Sequence, residues 1–144
     1  MHHAIFAPAV VLVLWTIVML FWVVATRLPA MARAGLPLSS PRGGVRAQVI
    51  DDKLPLSVAW KSHNHMHLME QPTLFYAVVL ILAVAGADNA VNVQLAWAYV
   101  GIRIAHSLWQ ALVNIVPVRT LLFLLSTACL AAMAVNALRA TLEI

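Results

Sequence analysis

The sequence predicts an all-α integral membrane protein built as a four-helix bundle, and three observations carry that prediction. Apolar residues make up 63% of the chain and charged residues 10%, against about 45–50% and about 25% in soluble domains. Mean hydropathy is +0.91, too apolar an alphabet for a water-facing surface. The apolar residues also fall into four long runs separated by polar connections. This composition excludes a soluble enzyme and a disordered chain. A nucleic-acid-binding domain is excluded as well: the net charge is +4, but the Lys and Arg residues are scattered and form no phosphate-tracking stripe. At 144 residues the chain holds one domain, residues 1–144. Its one cysteine, Cys129, sits in an apolar run, so no internal disulfide is available.

The first span is read at about residues 4–26, roughly 34 Å as a helix, enough for a ~30 Å hydrocarbon core. Ala30-Met31-Ala32 resembles a signal-peptidase site, but no Lys or Arg precedes the run and it exceeds a signal core of ~7–15 residues. The second span, about 71–87, stops at the turn signal Gly86-Ala87-Asp88-Asn89. Its helix is expected to start earlier, capped by Asp51 or Asp52 with Pro55 in the first turn, and to kink at Pro72. The third span, about 90–116, is closed by Pro117, and the fourth runs from about 118 to 138. The loop at about 27–60 and the start of the second helix carry Arg27, Arg33, Arg42, Arg46, Lys53 and Lys61, whereas the next turn has no Lys or Arg. The positive-inside rule therefore places that loop in the cytoplasm and both termini outside. Trp22 and Trp60 fit an aromatic belt. The alanine- and arginine-leaning composition suggests a bacterial cytoplasmic membrane.

The polar groups within the spans share one depth. Measured from the outer ends, Glu70 lies roughly 26 Å inward, Arg103 roughly 20 Å and His106 roughly 24 Å. Arg27 and Arg119 lie at the inner edge. The outer half has almost nothing polar, which argues against a channel and for a site open to the cytoplasm. His63, His67 and Glu70 are spaced i, i+4, i+7 on one helix face. With His106 they suggest a metal site; the plainer alternative is a solvated interfacial face with Glu70 paired to Arg103. Asn64 and His65 lie off this stripe and read as solvated or interhelical hydrogen-bonding groups. On the third span Arg103, His106, Gln110 and Asn114 form a polar stripe at helical period, extended by Tyr99. Polar glue explains Gln110 and Asn114 well, but a full positive charge in mid-span less well.

The Glu70 helix followed by Ala96-Trp97-Ala98-Tyr99-Val100-Gly101-Ile102-Arg103-Ile104-Ala105-His106 resembles the MAPEG superfamily, membrane-associated proteins in eicosanoid and glutathione metabolism, and its bacterial members in particular. The motif covers about residues 60–135, and the layout of spans, loop and termini covers the whole chain. The resemblance implies a homotrimer of four-helix bundles, with glutathione as co-substrate between subunits near the cytoplasmic face and a lipophilic second substrate entering from the bilayer. Arginine, asparagine and glutamate of the family's second helix correspond to His63, His67 and Glu70, and Pro72 and Phe75 fit its proline and aromatic. On the third helix Arg103 keeps the arginine, while His106 and Gln110 stand where tyrosines are expected. The resemblance makes His63, His67, Glu70, Arg103, His106 and Gln110 the glutathione-binding set. Arg103 would hold a carboxylate and Glu70 the α-amino group. Arg119 becomes the catalytic residue, favouring thiolate as a cation at a helix start. The implied activity is transfer of glutathione to lipophilic electrophiles, or their reduction. The departures leave a second reading open: a non-enzymatic membrane protein that keeps the fold without a working glutathione site.

Overall fold

The structure, a computed structural model, describes residues 4–36 and 47–142. All regular structure among them is helical: α1 (Phe6–Arg33), α2 (Ala47–Asp51), α3 (Leu56–Leu68), α4 (Gln71–Val84), α5 (Ala90–Leu112) and α6 (Val116–Thr141). Three stretches are long and apolar enough to cross a membrane, namely α1, α3 with α4, and α6. At 23 residues α5 is also long enough, but its polar residues keep it out of that set. The basic loop residues Arg42 and Arg46 lie outside the described residues.

The boundaries differ from the sequence expectation for local reasons. α1 continues to Arg33, past the expected end at residue 26, because nothing before Gly35 breaks it. Gly35 takes the left-handed conformation (φ 64°), and Leu36 N–H then donates to the Met31 carbonyl at 3.0 Å. This is the Schellman closure that an L side chain resists. Gly86 (φ 67°) ends α4 in the same way, with Ala87 N–H on the Leu82 carbonyl at 2.8 Å. Asn89 then caps α5, accepting from Asn92 N–H at 3.0 Å. Asp51 and Asp52 do not cap the second long helix: Asp51 ends α2, and Pro55 precedes the first turn of α3. Pro117 does not close the third helix either. It sits in the first turn of α6, where a missing N–H costs nothing, and α5 ends at Leu112.

Pro72 does break the second long helix. Without its N–H the Leu68 carbonyl has no i+4 donor; α3 ends at Leu68 with Met69 as its C-cap, and Glu70 leaves helical geometry with ψ −92°. The result is two successive helices, α3 and α4, with the break at the depth of the polar groups.

Packing uses narrow seams. Ile5, Leu12 and Met19 are fully buried at seven-residue spacing, and on α6 Ser126, Leu130, Met133 and Ala137 are buried at spacings of four, three and four. These are coiled-coil-like stripes. The remaining faces of α1 and α6 are apolar and exposed, among them Leu14, Phe21, Leu124 and Leu138, as suits a lipid environment. Lipid supplies no hydrophobic force between helices, so packing and interhelical hydrogen bonds hold them. Asn136 Nδ2 donates to Asn92 Oδ1 at 2.7 Å and Gln71 Nε2 to Thr127 Oγ1 at 2.8 Å. Trp15 Nε1 and Asn64 Nδ2 both donate to Ser107 Oγ, at 3.0 and 2.7 Å. α5 therefore contacts α1, α3 and α6 and carries the centre of the molecule.

Candidate functional site

The site is built on the inward face of α5. Tyr99, Arg103, His106 and Gln110 follow one another at helical period and are all buried, Arg103 at 0% exposure. Asn114, expected on the same stripe, is not part of it. It lies beyond the helix end in the left-handed region (φ 57°) and accepts from Arg119 Nη1 at 2.7 Å.

Arg103 donates Nη2 to the His67 carbonyl at 3.1 Å, and its guanidinium carbon lies 5.9 Å from the centre of the Phe123 ring. Its Nε and Nη1 have no hydrogen-bond partner, and neither do Tyr99 Oη, His106 Nε2 and Gln110 Oε1. A full charge and three further polar positions so far from water are costly unless something satisfies them. The Glu70–Arg103 pair, the plainer alternative offered by the sequence, does not form. Glu70 sits at the break between α3 and α4 with its side chain 69% exposed, and its Oε2 lies 2.9 Å from His67 Nδ1. His67 in turn stacks on Phe123, centroids 5.5 Å apart, and meets the edge of His106 at 5.4 Å.

His67, Glu70, Arg103 and His106 are thus brought together, with Gln110 one turn further along the same buried face. His63 is directed elsewhere: its Nε2 lies 3.7 Å from Asp51 Oδ2. Asp51 is buried, and its Oδ1 lies 3.2 Å from Arg27 Nη2, while Arg27 Nη1 donates to Ser62 Oγ at 2.9 Å. Arg27 therefore anchors α2 and α3 to the end of α1 rather than joining the α5 site. Arg119 stands in the first turn of α6, with His106 within its electrostatic reach. Among the described residues no three His, Cys, Asp or Glu side chains converge as metal ligands, since His63 and His67 serve different carboxylates.

Sequence reasoning missed Phe123, which forms the aromatic wall shared by Arg103, His67 and His106. The available signal was its position one turn after Arg119 on the fourth span. It also missed Asp51 as a buried ion partner, reading it as a cap. Asn64 resolves as an interhelical hydrogen-bonding group, whereas His65 lines an apolar cleft of about 330 Å³ between α1 and the α3–α4 break, with Val13, Leu20, Met69 and Tyr76.

Long apolar helices wrapped around a buried cationic site define an integral membrane protein with a polar centre recessed from lipid. The MAPEG family profile matches residues 5–139, nearly the whole chain, and the protein belongs to that family. Comparison with curated proteins and with solved structures gives no match.

Proposed function

We propose that the protein is a glutathione-dependent membrane transferase or peroxidase acting on lipophilic electrophiles, with glutathione held at the cytoplasmic side between subunits of a homotrimer. The observation that carries this reading is Arg103: wholly buried, positively charged, and with Nε and Nη1 unpartnered. An anion is the ligand such a group needs, and a carboxylate matches the fork of a guanidinium. Glutathione offers two carboxylates, an ammonium and a thiol.

In this reading Arg103 holds a carboxylate, with Tyr99 Oη, His106 and Gln110 as further polar partners on the same face. Glu70, exposed at the helix break, has a second carboxylate oxygen for the ammonium, and His67 beside it opens the buried stripe to the surface. His63, expected in the binding set, is turned toward Asp51 and takes no part in this reading. Arg119 favours the thiolate through its charge and through its place in the first turn of α6. The apolar cleft beside Tyr76 and Met69 gives the lipophilic substrate an approach from the bilayer.

The test is ultraviolet difference absorbance of the detergent-solubilised protein on adding glutathione. A thiolate signal is expected, lost in Arg119→Ala, with turnover abolished in both Arg103→Ala and Arg119→Ala. Absence of signal and of turnover at saturating glutathione would overturn the proposal. The second reading, a fold retained without a working glutathione site, is favoured by one observation: His63 is turned toward Asp51. Robust conjugation by the purified protein would remove it.

A further inference from the structure

His67 is held on three sides. Its Nδ1 lies against Glu70 Oε2 at 2.9 Å, its ring stacks on Phe123 at 18°, and the His106 ring closes its edge at 5.4 Å. A carboxylate only accepts hydrogen bonds, so Glu70 selects the ring form with the proton on Nδ1. In the neutral ring Nε2 is then the nitrogen with the free lone pair. The His67 side chain is 29% exposed, which leaves it reachable, whereas His106 is closed over at 1%. Arg103 lies alongside: it donates to the His67 carbonyl at 3.1 Å and shares the Phe123 wall. A carboxylate-oriented imidazole next to a fixed cation can take a proton from a weak nucleophile and stabilise the anion that results.

We infer that His67 is the general base for the thiol and Glu70 its positioning residue, an assignment that rests on the glutathione reading above. The thiol S–H bond breaks, the proton passes to His67 Nε2, and the bonding pair stays on sulfur as thiolate. The imidazolium keeps its Nδ1–H on Glu70. The sulfur pair then forms a bond to an electrophilic carbon, the leaving group departs with its own bonding pair, and the imidazolium returns its proton to water. With an aryl chloride the products are a thioether, chloride and a proton, so the step balances. The charged or titratable groups around His67 are Glu70 at the start of α4, Arg103 and His106 from α5, Arg119 from α6 within reach of His106, and His63 one turn back on α3. Of these, Glu70 is the one whose charge favours the imidazolium.

The test uses the full-length protein in detergent, with glutathione and an aryl chloride. His67→Asn keeps a polar side chain and removes the base. Its kcat/KM at neutral pH is expected to fall on the order of 10²-fold, and the deficit to shrink at high pH, where thiol in solution ionises by itself. Added imidazole should restore part of the rate in His67→Ala, which also shows that this variant folds. Glu70→Gln should lower the plateau rate, and Glu70→Asp, which keeps a carboxylate for the imidazole, should restore part of it. An independent readout is glutathione titration in two buffers of different ionisation enthalpy. The wild type should form thiolate without releasing the proton, whereas His67→Asn should release it or form no thiolate. Equal turnover and equal proton release in wild type and His67→Asn would overturn the role of His67 while leaving the glutathione site standing. A wild type that neither binds nor uses glutathione would overturn both.

Discussion

Tyr99 makes one contact that the core uses and carries one atom that it does not. Its ring stacks on Phe75 at 4.3 Å between centroids, while its hydroxyl is buried without a partner. Removing the hydroxyl alone should therefore stabilise the protein against unfolding in mixed micelles by about 1 kcal/mol, whereas Tyr99→Ala should cost about 3 kcal/mol through lost packing. If the hydroxyl serves glutathione, Tyr99→Phe should weaken its binding without loss of stability. Arg27 and Asp51 call for a different experiment, because a buried carboxylate left alone is costlier than none. Each single alanine variant should destabilise the protein, and the double variant by less than the sum, with a coupling of about 1–3 kcal/mol from a double-mutant cycle. At this scale the period of the α5 stripe was legible from residue spacing. The partner of Glu70 was not, since depth along a helix says nothing about which carboxylate oxygen meets which ring.

At the scale of elements, the break between α3 and α4 shapes the site. It was legible in Pro72, whose missing N–H leaves the Leu68 carbonyl without its helical donor. What the proline did not reveal is that the chain would interrupt the helix at Met69 and Glu70 and set Glu70 beside His67. Pro72→Ala restores the donor, so the helices should join and straighten. The distance between spin labels at Ser57 and Ala85, in a Cys129→Ser background, should then increase, and the thiolate signal should fall. An unchanged distance would assign the break to something other than the proline. Gly86 supplies a second check: its left-handed backbone should make Gly86→Ala cost about 1 kcal/mol in the same unfolding assay. Helix ends were the least legible feature. Pro117 reads equally well as a stop and as a first-turn residue, and Asn114, taken from its spacing as part of α5, is instead held outside it by its bond to Arg119.

For the whole molecule, the exposed apolar faces and the concentration of basic residues at one end make orientation the property to measure. The positive-inside rule predicts that Ala34→Cys, after α1, is shielded from a membrane-impermeant maleimide in intact cells, and that Ala85→Cys, before α5, is labelled. The reverse pattern would place the Arg103 site on the other side and refute a glutathione supply from the cytoplasm.

The amino-acid sequence alone determined the membrane class, the helical fold, the family resemblance and the alignment of Arg103, His106 and Gln110 on one face. These depend on composition and on the 3.6-residue period, which are local properties of the chain. Only the tertiary structure decided that Glu70 turns to His67, that Asp51 is clamped by Arg27, and that Phe123 walls the cluster. Each of these joins residues through the rotation of one helix against another, or through a break whose angle depends on its surroundings. Such geometry is set by the packing of several elements at once, and no spacing within a single helix contains it.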